Sequence, residues 1–425
     1  MKIEELKNKK VLILGFGLEG KDTFLFLKKK FPQKDIYIAD AKELKDFDLK
    51  TRKLLKKANL ILGKNYLSQI KGFDVIIKTP GIPLEKIKKQ VGQAIITSQT
   101  ELFLSNCPSL VIGITGTKGK STTAALLYHV LKNNGFDVYL VGNIETPALS
   151  YLEKAKKETI FVYEMSCHQL DNLKLSPPIA VFLNIYPEHL DYYKTFKRYF
   201  SAKANIALHQ KRGDYFVFNS KFALLRSLAK KVKSKPVPIK KDKINLNITH
   251  QDNLNAVLTV GEILKVNQED ILKAMKTFKK LPHRLEYVGE FQGIKFYDDS
   301  ISTIPESTIF ALEELGSDVQ TLIVGGMDRG ISFNKLGKKI TESKIKTLIL
   351  FPDSGKKILK GVKRKIKSYF VSSMEEAVNL SFQNTEKGKI CLLSLASPSY
   401  NLFKNFKERG DLFKKYVYEK KQARH

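Results

Sequence analysis

Short apolar runs alternate with longer, lysine-rich stretches along the whole chain, and this alternation divides the chain into three blocks. Short apolar runs bounded by Gly, Pro, Asp or Ser predict buried strands, and the stretches between them predict helices. The runs fall at 11–15, 35–40, 60–63, 74–81 and 94–98, then at 110–116, 139–143, 160–166 and 180–185, and finally at 294–300, 321–326, 347–351, 368–371 and 390–397.

Strands that alternate with helices indicate mainly parallel sheets, so we predict an α/β fold in all three blocks. A polar stretch rich in Lys and Pro, residues 233–243, is expected to interrupt the second block. A helix from about Asn253 to Lys265 is expected after it. The predicted domains are 1–106, 107–282 and 283–425.

Composition sets the class of protein. With 43% hydrophobic and 10% aromatic residues in 425, the chain can form real cores, which excludes wholesale disorder. No apolar run of about 18 residues predicts a membrane span. The first apolar run leads into a glycine turn, as a first strand does, and so does not suggest a signal peptide. Three cysteines far apart fit a reducing compartment, and we predict a cytoplasmic protein.

The net charge of +31 allows two interpretations. Excess Lys and Arg attract nucleic acid phosphates, but here the lysines are dispersed, as at 28–30 and 338–339. Dispersed lysine favours a solvated surface, so no nucleic acid partner is predicted. A positive field would still speed the capture of anionic nucleotides.

The strongest chemical signal is the glycine-rich segment from Gly113 to Thr122, GITGTKGKST, between an apolar run and a helical one. Glycines let backbone N–H groups turn toward phosphate oxygens, and a helix N-terminus adds partial positive charge. Lys120 is placed to reach the β- and γ-phosphates, and the Ser121 hydroxyl to bind Mg²⁺. Gly113 stands one residue further from Gly119 than the general phosphate-loop pattern asks. The alternative is a glycine turn with a chance lysine.

Acidic and imidazole side chains follow two later strands. Glu164 ends the run IFVYE, and a carboxylate leaving a parallel strand beside a phosphate loop suits Mg²⁺. The alternative is an ordinary acid at a strand end. Glu188, His189 and Asp191 follow another strand, and a single His such as His189 is as often structural as functional.

The order of these motifs resembles the Mur ligase family. GITGTKGKST, VGNIETPAL, YEMSCHQLD, LNIYPEHLD, FSAKANI and LPHRLE are similar to its central ATPase domain, and FYDDS and SPSYNLFKNFKERGDLF to its C-terminal domain. Residues 11–103, with TPGIP and TELF, resemble the N-terminal Rossmann-like domain of the glutamate-adding branch. The resemblance implies a Rossmann-like N-terminal domain, a central phosphate-loop ATPase and a Rossmann-like C-terminal domain.

The resemblance also implies roles for single residues. It assigns catalysis to Lys120, Glu164, His189 and Lys203, and two Mg²⁺ ions to Ser121, Glu164, His189 and Lys203, with Lys203 carbamylated. It assigns ATP to Gly116, Thr117, Lys118, Gly119, Lys120, Ser121, Thr122, Asn255, Arg284 and Asp299. Two departures stand out: Lys118 replaces the usual Asn, and Gln251-Asp252-Asn253-Leu254-Asn255 replaces His-Asn-x-x-Asn.

The first glycine turn, Gly15-Phe-Gly17-Leu-Glu-Gly20 with Asp40 after it, would by itself suggest NAD. In the family the same turn holds a uracil nucleotide. The resemblance therefore assigns the UDP precursor to Leu18, Glu19, Asp40, Gly81, Asn143 and His189.

The activity implied is ATP-dependent ligation of glutamate to UDP-N-acetylmuramoyl-L-alanine through an acyl phosphate, in peptidoglycan precursor synthesis. Glutamate is assigned to Thr303, Arg329, Ser399 and Phe406. The family's lysine after Asp-Ser is Ile301 here, but Arg329 can still pair with the side-chain carboxylate of an acidic amino acid. D-glutamate is therefore kept as the leading substrate, with L-glutamate as the rival. A monomer is expected.

Three other functions remain open. A folylpolyglutamate synthase would lack the N-terminal Rossmann-like domain, and an NAD-dependent dehydrogenase leaves the GKS motif unexplained. A non-enzymatic phosphate-loop module for nucleic acid would explain the charge but not Glu164, His189 and Lys203.

Overall fold

The computed structural model describes residues 1–143, 146–246, 248–399 and 402–422. It divides into two compact units, Met1–Phe278 and Lys279–His425. Two sheets lie in the first unit and one in the second. Ile144, Glu145, Tyr400 and Asn401, which belong to the motifs quoted above, lie outside the described residues.

The first sheet has five parallel strands in the order β3-β2-β1-β4-β5. They are β1 (Val11–Leu14), β2 (Ile36–Asp40), β3 (Asn59–Leu62), β4 (Val75–Lys78) and β5 (Ile95–Thr97). The helices are α1 (Leu18–Lys30), α2 (Leu49–Leu55), α3 (Leu84–Ile87) and α4 (Gln99–Asn106), with 3₁₀ turns at Ile3–Leu6, Leu44–Asp46 and Tyr66–Gln69. All five predicted strands are confirmed.

Strand β1 shows why these runs are apolar at every position. Val11 and Ile13 belong to one hydrophobic cluster, whereas Leu12 and Leu14 belong to another. Successive side chains of a strand point to opposite faces, so both faces of the sheet are covered by packed elements. Because both faces of the strand are buried, every position of the strand needs an apolar side chain, and not only every second one.

The second sheet has six parallel strands in the order β11-β10-β9-β6-β8-β7. They are β6 (Leu110–Thr115), β7 (Val138–Gly142), β8 (Ile160–Glu164), β9 (Ile179–Phe182), β10 (Tyr215–Phe218) and β11 (Lys235–Pro238). The helices are α5 (Lys120–Asn133), α6 (Cys167–Leu170), α7 (Leu190–Tyr193), α8 (Phe196–Leu208), α9 (Ala223–Ala229), α10 (Gln251–Ile263) and α11 (Gln268–Lys276), with a 3₁₀ turn at Leu149–Lys154.

The expectation that residues 233–243 merely interrupt the second block is wrong, because they contain the edge strand β11. Its prolines are tolerated there for a geometric reason. Lys235 and Ile239 donate their backbone N–H groups to β10 and its flank, at Asp214 and Phe218. Pro236 and Pro238 alternate with these donors, so their missing N–H groups would have faced away from the sheet.

The third sheet has six strands in the order β12-β13-β17-β14-β15-β16. They are β12 (Glu286–Phe291), β13 (Ile294–Asp298), β14 (Val319–Gly326), β15 (Thr347–Asp353), β16 (Lys367–Phe370) and β17 (Ile390–Leu393). The helices are α12 (Pro305–Leu315), α13 (Asn334–Glu342), α14 (Ser354–Gly361), α15 (Met374–Asn384) and α16 (Phe406–Gln422), with a 3₁₀ turn at Gly316–Asp318.

Strand β12 was not predicted, and it runs antiparallel to β13. The two are joined at Gln292-Gly293, whose φ angles are +55° and +80°, as a tight hairpin turn requires. Because β12 is a half-exposed edge strand, its residues lack the continuous apolar pattern of the central strands. Among the described residues, no helix is both long and apolar enough to cross a membrane.

Candidate active site

The candidate site lies at the carboxyl end of β6, the strand that pairs with β8 on one side and β9 on the other. The segments after these three strands carry the phosphate loop, Glu164 and His189. Carboxyl ends of adjacent parallel strands share one edge of the sheet, so the sheet order brings these motifs together.

The phosphate loop needs glycine at position 119. Gly119 has a φ of +77° and is the residue before helix α5. A Cβ placed there would lie 2.4 Å from Oδ1 of Asn253, a residue of α10. Backbone strain and lack of space therefore both exclude a side chain. The turn leaves the N-terminal N–H groups of α5 facing the loop, which is an anion-binding arrangement.

Asn184, which follows β9, fastens the loop. The Lys118 backbone N–H donates to Asn184 Oδ1 at 2.8 Å, and Asn184 Nδ2 donates to the Lys118 carbonyl at 3.1 Å. The Thr117 N–H donates to the Asn184 carbonyl at 3.0 Å. These bonds fix the loop before any nucleotide arrives. Asn184 was missed in the sequence, where its only signal was its position in LNIYPEHLD.

Lys120 lies along the inside of the loop. Its Nζ donates to the Thr117 carbonyl at 3.0 Å, and the neighbouring Ser121 is buried in the first turn of α5. The cation is thus held at the loop, where it can exchange a backbone acceptor for phosphate oxygens. Thr122 follows in the same turn.

Glu164 ends β8 and is completely buried, with 0% of its surface exposed. Asn143 Nδ2 donates to Glu164 Oε1 at 3.0 Å, whereas Oε2 has no hydrogen-bond partner among the described residues. A buried carboxylate oxygen without a donor is costly, and a bound cation removes that cost. The donor set therefore fits Mg²⁺, which prefers oxygen ligands.

Lys203 is buried beneath the loop, with 1% of its surface exposed, on helix α8. Its Nζ donates to the Gly116 carbonyl at 2.8 Å and to Thr115 Oγ1 at 3.2 Å. Burial, assisted by the charge of Lys120, lowers the pKa of the Lys203 ammonium to about 8. Glu164 and Glu188 act in the opposite direction, which shows that these groups share one electrostatic neighbourhood.

His189 adopts a left-handed backbone conformation, φ +53°, immediately before α7. Its Nε2 lies 3.7 Å from Glu188 Oε2, and its ring centroid lies 4.9 Å from that of His168. His189 follows β9, which is a neighbour of β6 in the sheet. His189 is therefore placed on the same edge of the sheet as Glu164 and the phosphate loop.

Helix α10 contributes amides beside the loop. Asn255 Nδ2 donates to the Asp242 carbonyl at 2.9 Å, and its Oδ1 lacks a hydrogen-bond partner among the described residues. Asp252 instead accepts from Asn219 Nδ2 at 2.9 Å and from Lys221 Nζ at 2.7 Å. Asn255 thus keeps an acceptor available, while the Asp252 carboxylate already has two donors.

The first glycine turn is shaped by packing. A Cβ at Gly15 would lie 2.1 Å from Thr79 Oγ1, and one at Gly20 would lie 2.1 Å from the Gly15 carbonyl. At Gly17 and Gly81 no described atom would lie within 4 Å of a Cβ, so these positions are open toward a ligand. Asp40 accepts from the backbone N–H groups of Phe16 at 2.7 Å and Lys42 at 2.9 Å, and so supports the turn.

Leu18 and Glu19 begin α1 beside this turn and have different surroundings. Leu18 is 61% exposed. Gln169 Nε2 of the central sheet's α6 donates to Glu19 Oε1 at 2.7 Å, and burial raises the pKa of the Glu19 carboxyl to about 7. Gln169, which the sequence did not single out, therefore links the first glycine turn to the central site.

In the second unit, the predicted glutamate residues follow adjacent strands. Thr303, Arg329 and Ser399 come after β13, β14 and β17, which are neighbours in the sheet, so the three lie along one edge. Phe406 begins α16, and its carbonyl accepts from Ser300 Oγ at 3.0 Å.

The predicted ATP residues of this unit, Arg284 and Asp299, lie close to each other. The N–H of Leu285, next to half-buried Arg284, donates to Asp299 Oδ1 at 3.3 Å. Asp299 is buried and accepts from Ser302 Oγ at 2.5 Å and Ser394 Oγ at 2.7 Å. Burial raises the pKa of its carboxyl to about 7.

Comparisons with known proteins decide the family. The family model for the Mur ligase middle domain matches residues 114–292, and the model for the Mur ligase glutamate ligase domain matches residues 283–394. A UDP-N-acetylmuramoylalanine–D-glutamate ligase of Clostridium botulinum is 34% identical over 454 residues, 97% of each chain. The enzyme of the same name from Clostridium tetani is 33% identical over 96% of each chain. The chain belongs to the Mur ligase family.

Solved structures agree with the fold of this Mur ligase. The MurF ligase of Thermotoga maritima in complex with ADP matches with a TM-score of 0.62 at 19% identity, over 98% of this chain and 97% of that one. E. coli FolC in complex with ADP, at 14% identity and a TM-score of 0.58, covers 76% of this chain and 94% of its own. The predicted α/β Mur ligase fold and the ligase class are confirmed, whereas the domain boundaries and single-residue roles stay predictions.

Proposed function

We propose that this Mur ligase uses ATP to join D-glutamate to UDP-N-acetylmuramoyl-L-alanine in peptidoglycan precursor synthesis. The observation that carries the proposal is the cluster at the end of β6. It combines a preformed phosphate loop with Lys120, buried Lys203, and the buried Glu164 carboxylate, whose Oε2 has no hydrogen-bond partner in the described part of the chain. Relatives named as D-glutamate ligases over nearly the whole length support the choice of substrates.

The chemistry has two steps. The alanyl carboxylate attacks the γ-phosphorus in line, ADP leaves, and an acyl phosphate forms. The amino group of glutamate then attacks the acyl carbon, phosphate leaves, and the amide forms with loss of a proton. Lys120 and the N–H groups at the start of α5 offset charge on the phosphates, and the Asn184-fastened loop holds the phosphates in place.

Ser121, Glu164 and His189, with Lys203 as its carbamate, would hold the Mg²⁺ ions, for which we propose two. Bound Mg²⁺ would neutralise phosphate charge. The oxygen-rich donor set fits this cation, and Glu164 Oε2, which lacks a hydrogen-bond partner among the described residues, supports its use. ATP is proposed to contact Gly116, Thr117, Lys118, Gly119, Lys120, Ser121, Thr122, Asn255, Arg284 and Asp299.

Carbamylation of Lys203 is favoured by its low pKa, because CO₂ reacts with the neutral amine. At a pH about half a unit below the Lys203 pKa of about 8, roughly a quarter of the Lys203 side chains are neutral amines. At the same pH only about one in a thousand ordinary lysine side chains is neutral. The carbamate nitrogen forms a bond to CO₂ carbon and loses a proton. The product is an anion that can bind a cation.

We propose that the UDP precursor and glutamate bind at the first glycine turn and at the sheet edge of the second unit, respectively. The UDP precursor would contact Leu18, Glu19, Asp40, Gly81, Asn143 and His189, within residues 1–106 and 107–282. Glutamate would contact Thr303, Arg329, Ser399 and Phe406, within residues 283–425, and the Arg329 guanidinium can pair with its side-chain carboxylate in a bidentate way. We further propose a cytoplasmic monomer with no nucleic acid partner.

The deciding experiment measures ATP-dependent phosphate release and product mass with UDP-N-acetylmuramoyl-L-alanine and each glutamate enantiomer separately. Ligation of D-glutamate alone is expected. Product from L-glutamate alone would contradict the D-specific assignment but leave the ligase assignment in place. Release with a folate acceptor and none with the UDP precursor would contradict both and favour a folylpolyglutamate synthase.

A further inference from the structure

A sulfur and two imidazoles meet beside the proposed Mg²⁺ residues. The ligand atoms of Cys167, His168 and His189 all lie within 4.8 Å of one another. Cys167 and His168 begin α6, which follows β8, and His189 follows β9. The cluster therefore combines both flanks of β6. None of the roles assigned above uses Cys167 or His168.

We propose that Cys167, His168 and His189 bind a borderline-soft divalent metal ion such as Zn²⁺, and that this ion competes with Mg²⁺ for His189. Thiolate and imidazole ligands select such ions, whereas Mg²⁺ prefers carboxylate, carbonyl and water oxygens. Occupation slows the ligase reversibly. This consequence rests on the proposed function, but the metal binding does not.

The geometry is close to that of a tetrahedral site. Zn–N bonds of about 2.1 Å and Zn–S bonds of about 2.3 Å place neighbouring ligand atoms roughly 3.3–3.7 Å apart. The three ligand atoms, already within 4.8 Å, reach that separation by side-chain rotations that move atoms by roughly 1 Å. The thiol proton of Cys167 passes to solvent as the sulfur–metal bond forms. The fourth position is left for water or for Glu188, whose Oε2 lies 3.7 Å from His189 Nε2.

Aromatic rings hold the His168 imidazole in position. The His168 ring stacks on Tyr193 with an angle of 11° between planes and meets Tyr192 at a centroid distance of 4.4 Å. The Tyr193 hydroxyl is 3.4 Å from His168 Nδ1. Cys167 is 3% exposed, so its sulfur faces the cluster and the core rather than bulk solvent. Ligands fixed in this way lose little freedom when a metal ion binds.

Co²⁺ is the probe that reports directly on the sulfur. The full-length, metal-free protein, kept reduced with a phosphine, is titrated with Co²⁺ and read by absorbance. We expect visible bands of tetrahedral intensity and a near-ultraviolet thiolate-to-cobalt band at one equivalent, both removed by Zn²⁺. Cys167→Ser should abolish the near-ultraviolet band, and His168→Gln should weaken binding by at least about tenfold.

Cys107→Ser is the matched control, because Cys107 is a partly exposed thiol in the same unit and lies outside the cluster. It should keep the full spectrum. Absence of a thiolate band in the parent protein, or its survival in folded Cys167→Ser, overturns the proposal. If Cys167→Ser does not fold, an unchanged Co²⁺ affinity in His168→Gln overturns it as well.

The inhibitory consequence is measured separately. Phosphate release at saturating Mg²⁺ is followed as Zn²⁺ is added, and each variant is normalised to its own rate without Zn²⁺. We expect the Zn²⁺ concentration for half inhibition to rise at least about tenfold in His168→Gln. Equal sensitivity of the parent protein and His168→Gln refutes the competition. A parent protein that shows the cobalt spectrum but no ligase activity would refute the proposed function and not the metal site.

Discussion

Replacing Gly119 with alanine should damage the ATP site more than the fold, and Gly135, just beyond the other end of α5, provides the comparison. Gly119 and Gly135 lie at opposite ends of α5 and have nearly equal φ angles, +77° and +79°. Alanine in this left-handed conformation costs about 1–2 kcal/mol at either position. The effect of the substitution on the unfolded chain is also similar at both. The two variants therefore differ only in what the new methyl group meets.

At Gly135 no described atom lies within 4 Å of the methyl position, whereas at Gly119 Asn253 Oδ1 lies at 2.4 Å. The Asn253 amide must move by roughly 1 Å to reach van der Waals separation. This strains its bond to Thr249 Oγ1, now 2.8 Å, which contributes about 0.5–1.5 kcal/mol. We expect a loss of about 1–2 kcal/mol for Gly135→Ala and about 1.5–3.5 kcal/mol for Gly119→Ala.

Function should separate the two variants further. The contact with Asn253 pushes back on the phosphate loop, and a misplacement of about 1 Å of the bound phosphates lowers turnover by about 100-fold, since they are no longer in line with the attacking carboxylate. Urea denaturation gives the stability losses, and phosphate release at varied ATP gives kcat and KM. Gly135→Ala should keep the parent kinetics. Equal stability losses together with equal kinetics in the two variants would refute the assignment of Gly119 to a tightly packed phosphate loop.

Four further outcomes are expected. Lys120→Ala and Glu164→Gln should abolish phosphate release yet keep the parent circular dichroism, and near-normal turnover of either at saturating Mg²⁺ would remove the proposed ATP site. Removal of CO₂ should inactivate the enzyme. At an equal dissolved CO₂ concentration, activity should return faster one pH unit above the Lys203 pKa of about 8 than one unit below, because more amine is neutral; Lys203→Ala should not respond, and clear density for an unmodified Lys203 in an active, nucleotide-bound crystal would argue against the carbamate. Burial raises the Asp299 pKa from 3.8 to about 7, so between these pH values the folded state keeps a proton that the unfolded state loses, and the free energy of unfolding should decrease as the pH rises. Urea denaturation at several pH values should show this decrease in the parent protein and a smaller one in Asp299→Asn, and an equal decrease in both would show that other groups cause it. Calorimetry should show binding of the UDP precursor and none of NAD, and tighter binding of NAD would revive the dehydrogenase hypothesis.

Local patterns in the sequence determined most of the sheet elements and the phosphate loop. Strands such as β1 and β9 are apolar at every position because packed elements cover both faces, so they can be recognised without knowledge of their partners. The loop from Gly116 to Lys120 is also local, since its glycines and lysine are adjacent in the chain. The hydrophobic pattern did not predict edge strands such as β11 and β12, because a strand that is partly exposed needs no continuous apolar run.

Only the tertiary structure decided how side chains distant in sequence act on one another. Lys203 looks like any surface lysine until α8 buries it under the Gly116 carbonyl and lowers its pKa. Asn184 fastens Lys118 across 66 positions, and Gln169 reaches Glu19 across 150. Such contacts depend on which strands become neighbours. Burial and electrostatic coupling are set by distance in space, and no spacing along the chain encodes that distance.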